Sequence, residues 1–184
     1  MAKRKYQTQR EAGIILAVCG VISGLLSASI DVDFLSLFDV PMLPAVFFGI
    51  VIALGIYSWE ARHPAPIVIA LIGVAIAWWV AVKTGTTIYE GLEKSRATFA
   101  YAGILAGLVG ALLVSITLWI TSEDFRSLRN LITTAVFGAV AGALLAFSSS
   151  SATPAGLVPL FVIWQAGIAG IVGYALAFRP QPSS

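Results

Sequence analysis

The sequence predicts an all-α integral membrane protein, a compact bundle of about six transmembrane helices forming one domain over residues 1–184, with both termini in the cytoplasm. Three observations predict it. Of the 184 residues, 59% are hydrophobic and 11% charged, against roughly a quarter charged in soluble domains, so lipid must be the solvent for most of the chain. The apolar residues form six continuous stretches, 12–30, 44–59, 66–82, 97–120, 131–147 and 155–178, each close to the roughly 17 to 25 residues that cross a bilayer core. None alternates with period two, so each is expected to satisfy its backbone as a helix rather than as a barrel strand.

The first stretch follows a basic head, Lys3, Arg4, Lys5 and Arg10. A secretory signal has a similar head, and Ser27-Ala28-Ser29 is a loose small-x-small site, but the apolar run exceeds the usual core of about 7 to 15 residues. A retained span is the expectation. Leu16-Ala17-Val18-Cys19 lacks the small residue that lipoprotein signals carry before their cysteine, so Cys19 reads as a plain buried thiol.

The connection over 31–43 mixes Asp31, Asp33 and Asp39 with Phe34, Leu35, Leu37 and Phe38, the pattern of a short amphipathic piece at the interface. Pro41 and Pro44 punctuate entry into the second span, the shortest of the six. The third begins after the loop Glu60-Ala61-Arg62-His63-Pro64 and carries Trp78 and Trp79 near its far end. In the connection 83–96, Glu90 and Lys94 stand at i,i+4 spacing, which predicts an exposed helical turn or two. After the fourth span, Thr121 with Asp124 resembles a capping box that opens a helical segment through Arg129. Residues 148–153 form a small polar loop before the sixth.

The loop charges orient the bundle. With the N-terminus inside, Lys3, Arg4, Lys5, Arg10, Arg62, Arg126, Arg129 and Arg179 are cytoplasmic, and only Lys83, Lys94 and Arg96 lie outside. That bias follows the positive-inside rule. The short loops and compact basic N-terminus suggest a bacterial inner membrane.

Helices in lipid associate through close backbone approach, which small residues four apart permit. Such residues mark the first span (Gly20, Gly24), the fourth (Gly103, Gly107) and the fifth (Gly138, Gly142). The sixth carries two such sets, Ala166 with Gly170 and Ala169 with Gly173. The plain reading is packing within one bundle; the sharper one turns the doubled face of the sixth span toward another subunit. The segments 106–113 and 138–145 resemble each other, as do 12–14 and 102–104, which raises an inverted repeat of two three-span halves.

Chemistry is sparse. No span carries an ionisable residue away from its ends, which weighs against proton pathways and intramembrane aspartate proteases. The sole histidine, His63, sits in a loop with Glu60 and no evident partner; Asp31, Asp33 and Asp39 read as solvated carboxylates, and no metal site or cofactor is expected. The net charge of +2 is scattered, so nucleic acid is not an expected partner.

The deepest strongly polar side chain is Gln165, beside Trp164. As a staple it joins two helices; as a site it forms, with Trp164 and Tyr101, the candidate ligand pocket. Ser23, Ser115, Thr117, Thr133 and Thr134 are expected to bond back to their own helices. The length and six-span layout are similar to those of the substrate-binding components of bacterial vitamin transporters, a likeness of layout with no ligand-binding motif matched. The leading expectation is a non-enzymatic subunit or assembly protein that meets the bilayer, itself or another membrane protein through small-residue faces. The alternative is a small-solute carrier or the substrate-binding membrane component of a transporter.

Overall fold

The computed structural model describes residues 9–29, 35–59, 64–147 and 154–177. Among them the chain forms six helices: α1 (Gln9–Ser29), α2 (Leu43–Trp59), α3 (Ala65–Gly91), α4 (Arg96–Thr121), α5 (Leu128–Gly142) and α6 (Pro154–Leu176). A 3₁₀ segment, Ala143–Phe147, extends α5. Five of these elements are long and apolar enough to cross a membrane, and α2 is a shorter apolar helix. Lines of exposed large side chains, such as Ile14, Val18, Ile22 and Leu25 on α1, give each helix an apolar outer face suited to lipid.

Three local expectations are corrected. The exposed turn in 83–96 is instead the continuation of α3, which runs nine residues past the expected end at 82 and stops at Gly91. Lys94 therefore lies beyond the helix, and its Nζ stands 5.8 Å from the centre of the Tyr89 ring; the polar side chains of 83–91 did not stop a helix that Tyr89 pins to Phe99, ring to ring at 4.2 Å. The connection before α2 contains a β-hairpin, β1 (Ser36–Leu37) paired antiparallel with β2 (Val40–Pro41). Its turn residues Phe38 and Asp39 have φ of 50° and 61°, the double left-handed pair that matches strand twist in a two-residue turn. Thr121 caps nothing, being the last residue of α4; its hydroxyl bonds back to the Thr117 carbonyl at 2.9 Å. Ser122 takes the Phe125 N–H at 3.1 Å and Ser127 takes the Asn130 N–H at 3.1 Å, so serines start the turn and α5.

Small residues set the helix pairs. A Cβ at Gly20 would lie 2.6 Å from the Gln165 carbonyl oxygen, and one at Gly24 would lie 2.6 Å from the Val162 Cα. Gly13 faces Gly170, and Gly173 faces the Ala12 carbonyl. Residue numbers thus rise along α1 as they fall along α6, so the two helices run antiparallel and the start of α1 shares one end of the bundle with the end of α6. On the other flank, Gly103 and Gly107 of α4 meet the carbonyls of Gly142 and Gly138. The look-alike segments 106–113 and 138–145 are therefore opposite walls of one antiparallel contact, which gives a packing reason for their resemblance.

Much of the buried core lies in one half of the bundle, while Val40, Phe48 and Phe161 are buried in the other. Leu16, Ile52, Ile56, Leu118, Phe125 and Leu176 all lie toward the end that holds the start of α1, and each is at most 2% exposed. At the opposite end the helices enclose space.

Candidate functional site

That space is a cavity of about 340 Å³ in the half of the bundle nearest the hairpin. The backbones of α3 and α4 stay clear of α6, and rings bridge the gap. Trp78 of α3 stacks on Phe161 of α6 with centroids 5.6 Å apart, and Phe48 of α2 meets Trp164 of α6 edge-on at 5.3 Å. Opposite those rings the wall is built of Ala81, Gly85, Gly103, Ala106, Gly107 and Gly110. The cavity follows from the small size of this wall: Gly103 and Gly107 close on α5 and Gly85 on Ala106, so no long side chain projects from it into the space before α6. A Cβ at Gly110 would lie 3.1 Å from the Ala81 Cβ and 3.5 Å, an ordinary contact, from the Trp164 ring.

The hairpin forms the rim. Trp78 Nε1 donates to the Pro41 carbonyl at 2.6 Å, Met42 N–H closes the hairpin on the Leu35 carbonyl at 2.7 Å, and Phe38 meets the Trp79 ring edge-on. Pro41 and Pro44 thereby join the lining. At the inner end, Val74 and Val114 adjoin the packed core, which closes the cavity below.

The candidate pocket residues separate. Trp164 lines the cavity. Gln165 borders it with an amide turned to α1: Ser23 Oγ donates to Gln165 Oε1 at 2.5 Å, and Gln165 Nε2 donates to Ser27 Oγ at 3.0 Å. Ser27 in turn donates to the Ser23 carbonyl at 2.8 Å. Gln165 is 1% exposed, and its polar atoms meet hydroxyls rather than open space. Tyr101 sits on the outer face of α4, 52% exposed, away from the other two. Sequence reasoning missed Trp78, Phe48 and Phe161; their aromatic character was visible, but the helix pairing that brings them together was not.

The small-residue faces also have definite places. Gly20 and Gly24 with Gly170 and Gly173 form the α1–α6 contact, and Gly103 and Gly107 with Gly138 and Gly142 form the α4–α5 contact. The doubled face of α6 is turned to α1 rather than outward. Ser115, Thr117 and Thr134 bond back to carbonyls four residues earlier, at 2.8, 2.9 and 2.7 Å, whereas Ser23, expected to do the same, donates to Gln165 across the α1–α6 contact. Cys19 is a free, half-buried thiol packed beside the core. His63, Glu60, Asp31, Asp33 and the 148–153 loop lie outside the described residues. Among the described residues no group of three or more His, Cys, Asp or Glu side chains is placed to hold a metal. No protein-family model matches the chain, and neither a curated protein nor a solved structure shows significant similarity to it.

Proposed function

We propose that this is a non-enzymatic, multi-pass protein of a bacterial inner membrane, with six spans and both termini cytoplasmic, that binds a small, uncharged and largely apolar molecule. The observation that carries the reading is the cavity between α6 and the α3–α4 pair, whose 340 Å³ falls at the lower end of the roughly 300 to 1,000 Å³ of small-molecule sites. Aromatic and small aliphatic groups dominate the lining, with Thr86 and Tyr89 as its hydroxyls; Trp78 donates to Pro41, Gln165 is bonded to the α1 serines, and Thr86 bonds back to its own helix. A charged solute would lose its hydration there without recompense. The packed core closes one end, which favours capture from the hairpin side over a through-channel. The subunit reading drew on small-residue faces, and those faces are occupied within the chain.

The test is extraction of the purified protein followed by mass spectrometry of its retained small molecules, for wild type and for Ala106→Leu. The added side chain projects from the small-residue wall, and overpacking of about 1 to 3 kcal/mol converts to a roughly five- to hundredfold loss of affinity. A reproducible neutral molecule in the wild type, lost in Ala106→Leu, is the expected result. An empty wild type, or equal retention by the variant, overturns the reading, and a stoichiometric protein partner in its place would restore the subunit hypothesis.

A further inference from the structure

The apolar cavity has a direction. α3 and α4 run antiparallel along it, with Gly85 opposite Ala106 and Ala81 opposite Gly110. Its lining follows α4 outward from Gly110, beside the Trp164 ring, past the level of the hairpin to Phe99. That stretch of α4 rises about 16 Å, at about 1.5 Å per residue. The 340 Å³ are therefore drawn out into a slot lying along the helices.

The two ends of the slot also differ in polarity. Its inner end is Val74, Ala77, Val114 and the Trp164 ring, and the Gln165 amide beside them is bonded to the α1 serines. Its hydroxyls, Thr86 and Tyr89, both stand at the outer end. Thr86 donates to the Val82 carbonyl at 3.0 Å, which leaves its oxygen able to accept. α3, at 27 residues, is about 40 Å long against a hydrocarbon core of about 30 Å. Its last turns, with Thr86 and Tyr89, thus reach headgroup level, where tyrosine commonly settles.

We infer that the occupant is an uncharged single-chain amphiphile, with its polar head at Thr86 and Tyr89 and its hydrocarbon tail laid along Ala81, Ala106 and Gly107 to end at Trp164. The inference rests on the reading of this cavity as a small-molecule site and adds the shape and orientation of what it holds. A zigzag of C–C bonds of about 1.5 Å advances about 1.3 Å per carbon, so about twelve carbons fill the slot. A compact ring system of equal volume would have to spread the rings from the small-residue wall, which overpacks both. Apolarity alone gives such a chain little reason to leave the bilayer, since lipid tails are as apolar as the lining. The slot adds fit to a single chain and hydroxyl partners at one end only, and an apolar tail end needs none at the other.

Photo-crosslinking of the full chain in nanodiscs tests this with two dodecanol probes, one carrying a diazirine at the tail end and the other beside the hydroxyl, mapped by peptide mass spectrometry. The tail-end probe is expected to label the peptides that hold Gly110 and Trp164, and the head-end probe the peptide 86–99. Excess unlabelled dodecanol should abolish both labels, and Ala106→Leu should lower both by roughly fivefold or more. Excess adamantanol, a compact alcohol, should leave them in place. Displacement by adamantanol as effective as by dodecanol, both probes labelling one level, or the two labels exchanged overturns the oriented chain and leaves the cavity reading standing. Labelling that excess dodecanol does not reduce, or that falls only on lipid-facing residues such as Ile72 and Ile104, overturns both.

Discussion

Gln165 illustrates how one polar residue is resolved inside an apolar bundle. Its amide reaches two serines on α1, separated from it by 142 and 138 positions in the chain. The sequence made the need for a partner legible, because an amide at that depth has no water to meet; it did not make Ser23 and Ser27 legible, since nothing local encodes which helix lies opposite. Interhelical hydrogen bonds of this kind contribute modestly, mostly under about 2 kcal/mol, because hydroxyls find other acceptors when released. Gln165→Leu is therefore expected to lower the thermal midpoint by a few degrees, measured in detergent, while retention of the cavity ligand stays at the wild-type level. If retention collapses with the midpoint unchanged, the amide faces the ligand and the apolar character assigned to the cavity is wrong.

Among the elements, α2 and α3 depart furthest from equal spans, and for complementary reasons. The 17 residues of α2 cover about 25 Å and the 27 of α3 about 40 Å, at about 1.5 Å per residue, against a hydrocarbon core of about 30 Å. The hairpin sits at the short end of α2, where Trp78 on the neighbouring long helix takes hold of Pro41. Apolar length alone located both helices, but polarity after Lys83 was read as the end of α3 when it marks only its exit from the apolar stretch. The hairpin was illegible because Phe38 and Asp39 are not the Asn-Gly or Asp-Gly pair that normally announces such a turn. Beside the Phe38–Trp79 ring contact it is attached by the Trp78–Pro41 hydrogen bond, so Trp78→Phe, which keeps an aromatic ring and deletes the N–H, should speed amide hydrogen exchange over residues 35–42 by about tenfold. Exchange there as slow as in the wild type would mean that ring packing, not the Pro41 bond, holds the rim.

At the scale of the whole molecule the two ends of the bundle differ: large buried aliphatic side chains gather where α1 starts, and the apolar cavity lies toward the hairpin. Small residues produce both close packing and open space. Where glycine meets backbone, as between Gly20 and Gln165 or Gly107 and Gly138, helices close up; where glycine and alanine face rings across a gap, as between α4 and α6, they leave room. The sequence displays the same residue types in both places, so the stripes were legible but their partners were not. Among the described residues the cations are shared equally between the ends, Arg10, Arg126 and Arg129 where α1 starts and Lys83, Lys94 and Arg96 where the hairpin lies. If, as proposed, both termini are cytoplasmic, the end that holds the start of α1 faces the cytoplasm and the cavity opens outward. A cysteine at Glu93, in the α3–α4 link, should then react with a membrane-impermeant maleimide on intact cells, whereas one at Glu123, in the α4–α5 turn, should react only after permeabilisation, both in a Cys19→Ala background. Labelling of Glu123→Cys alone in intact cells would invert the bundle, place the cavity mouth toward the cytoplasm, and make intracellular supply the source of whatever it holds.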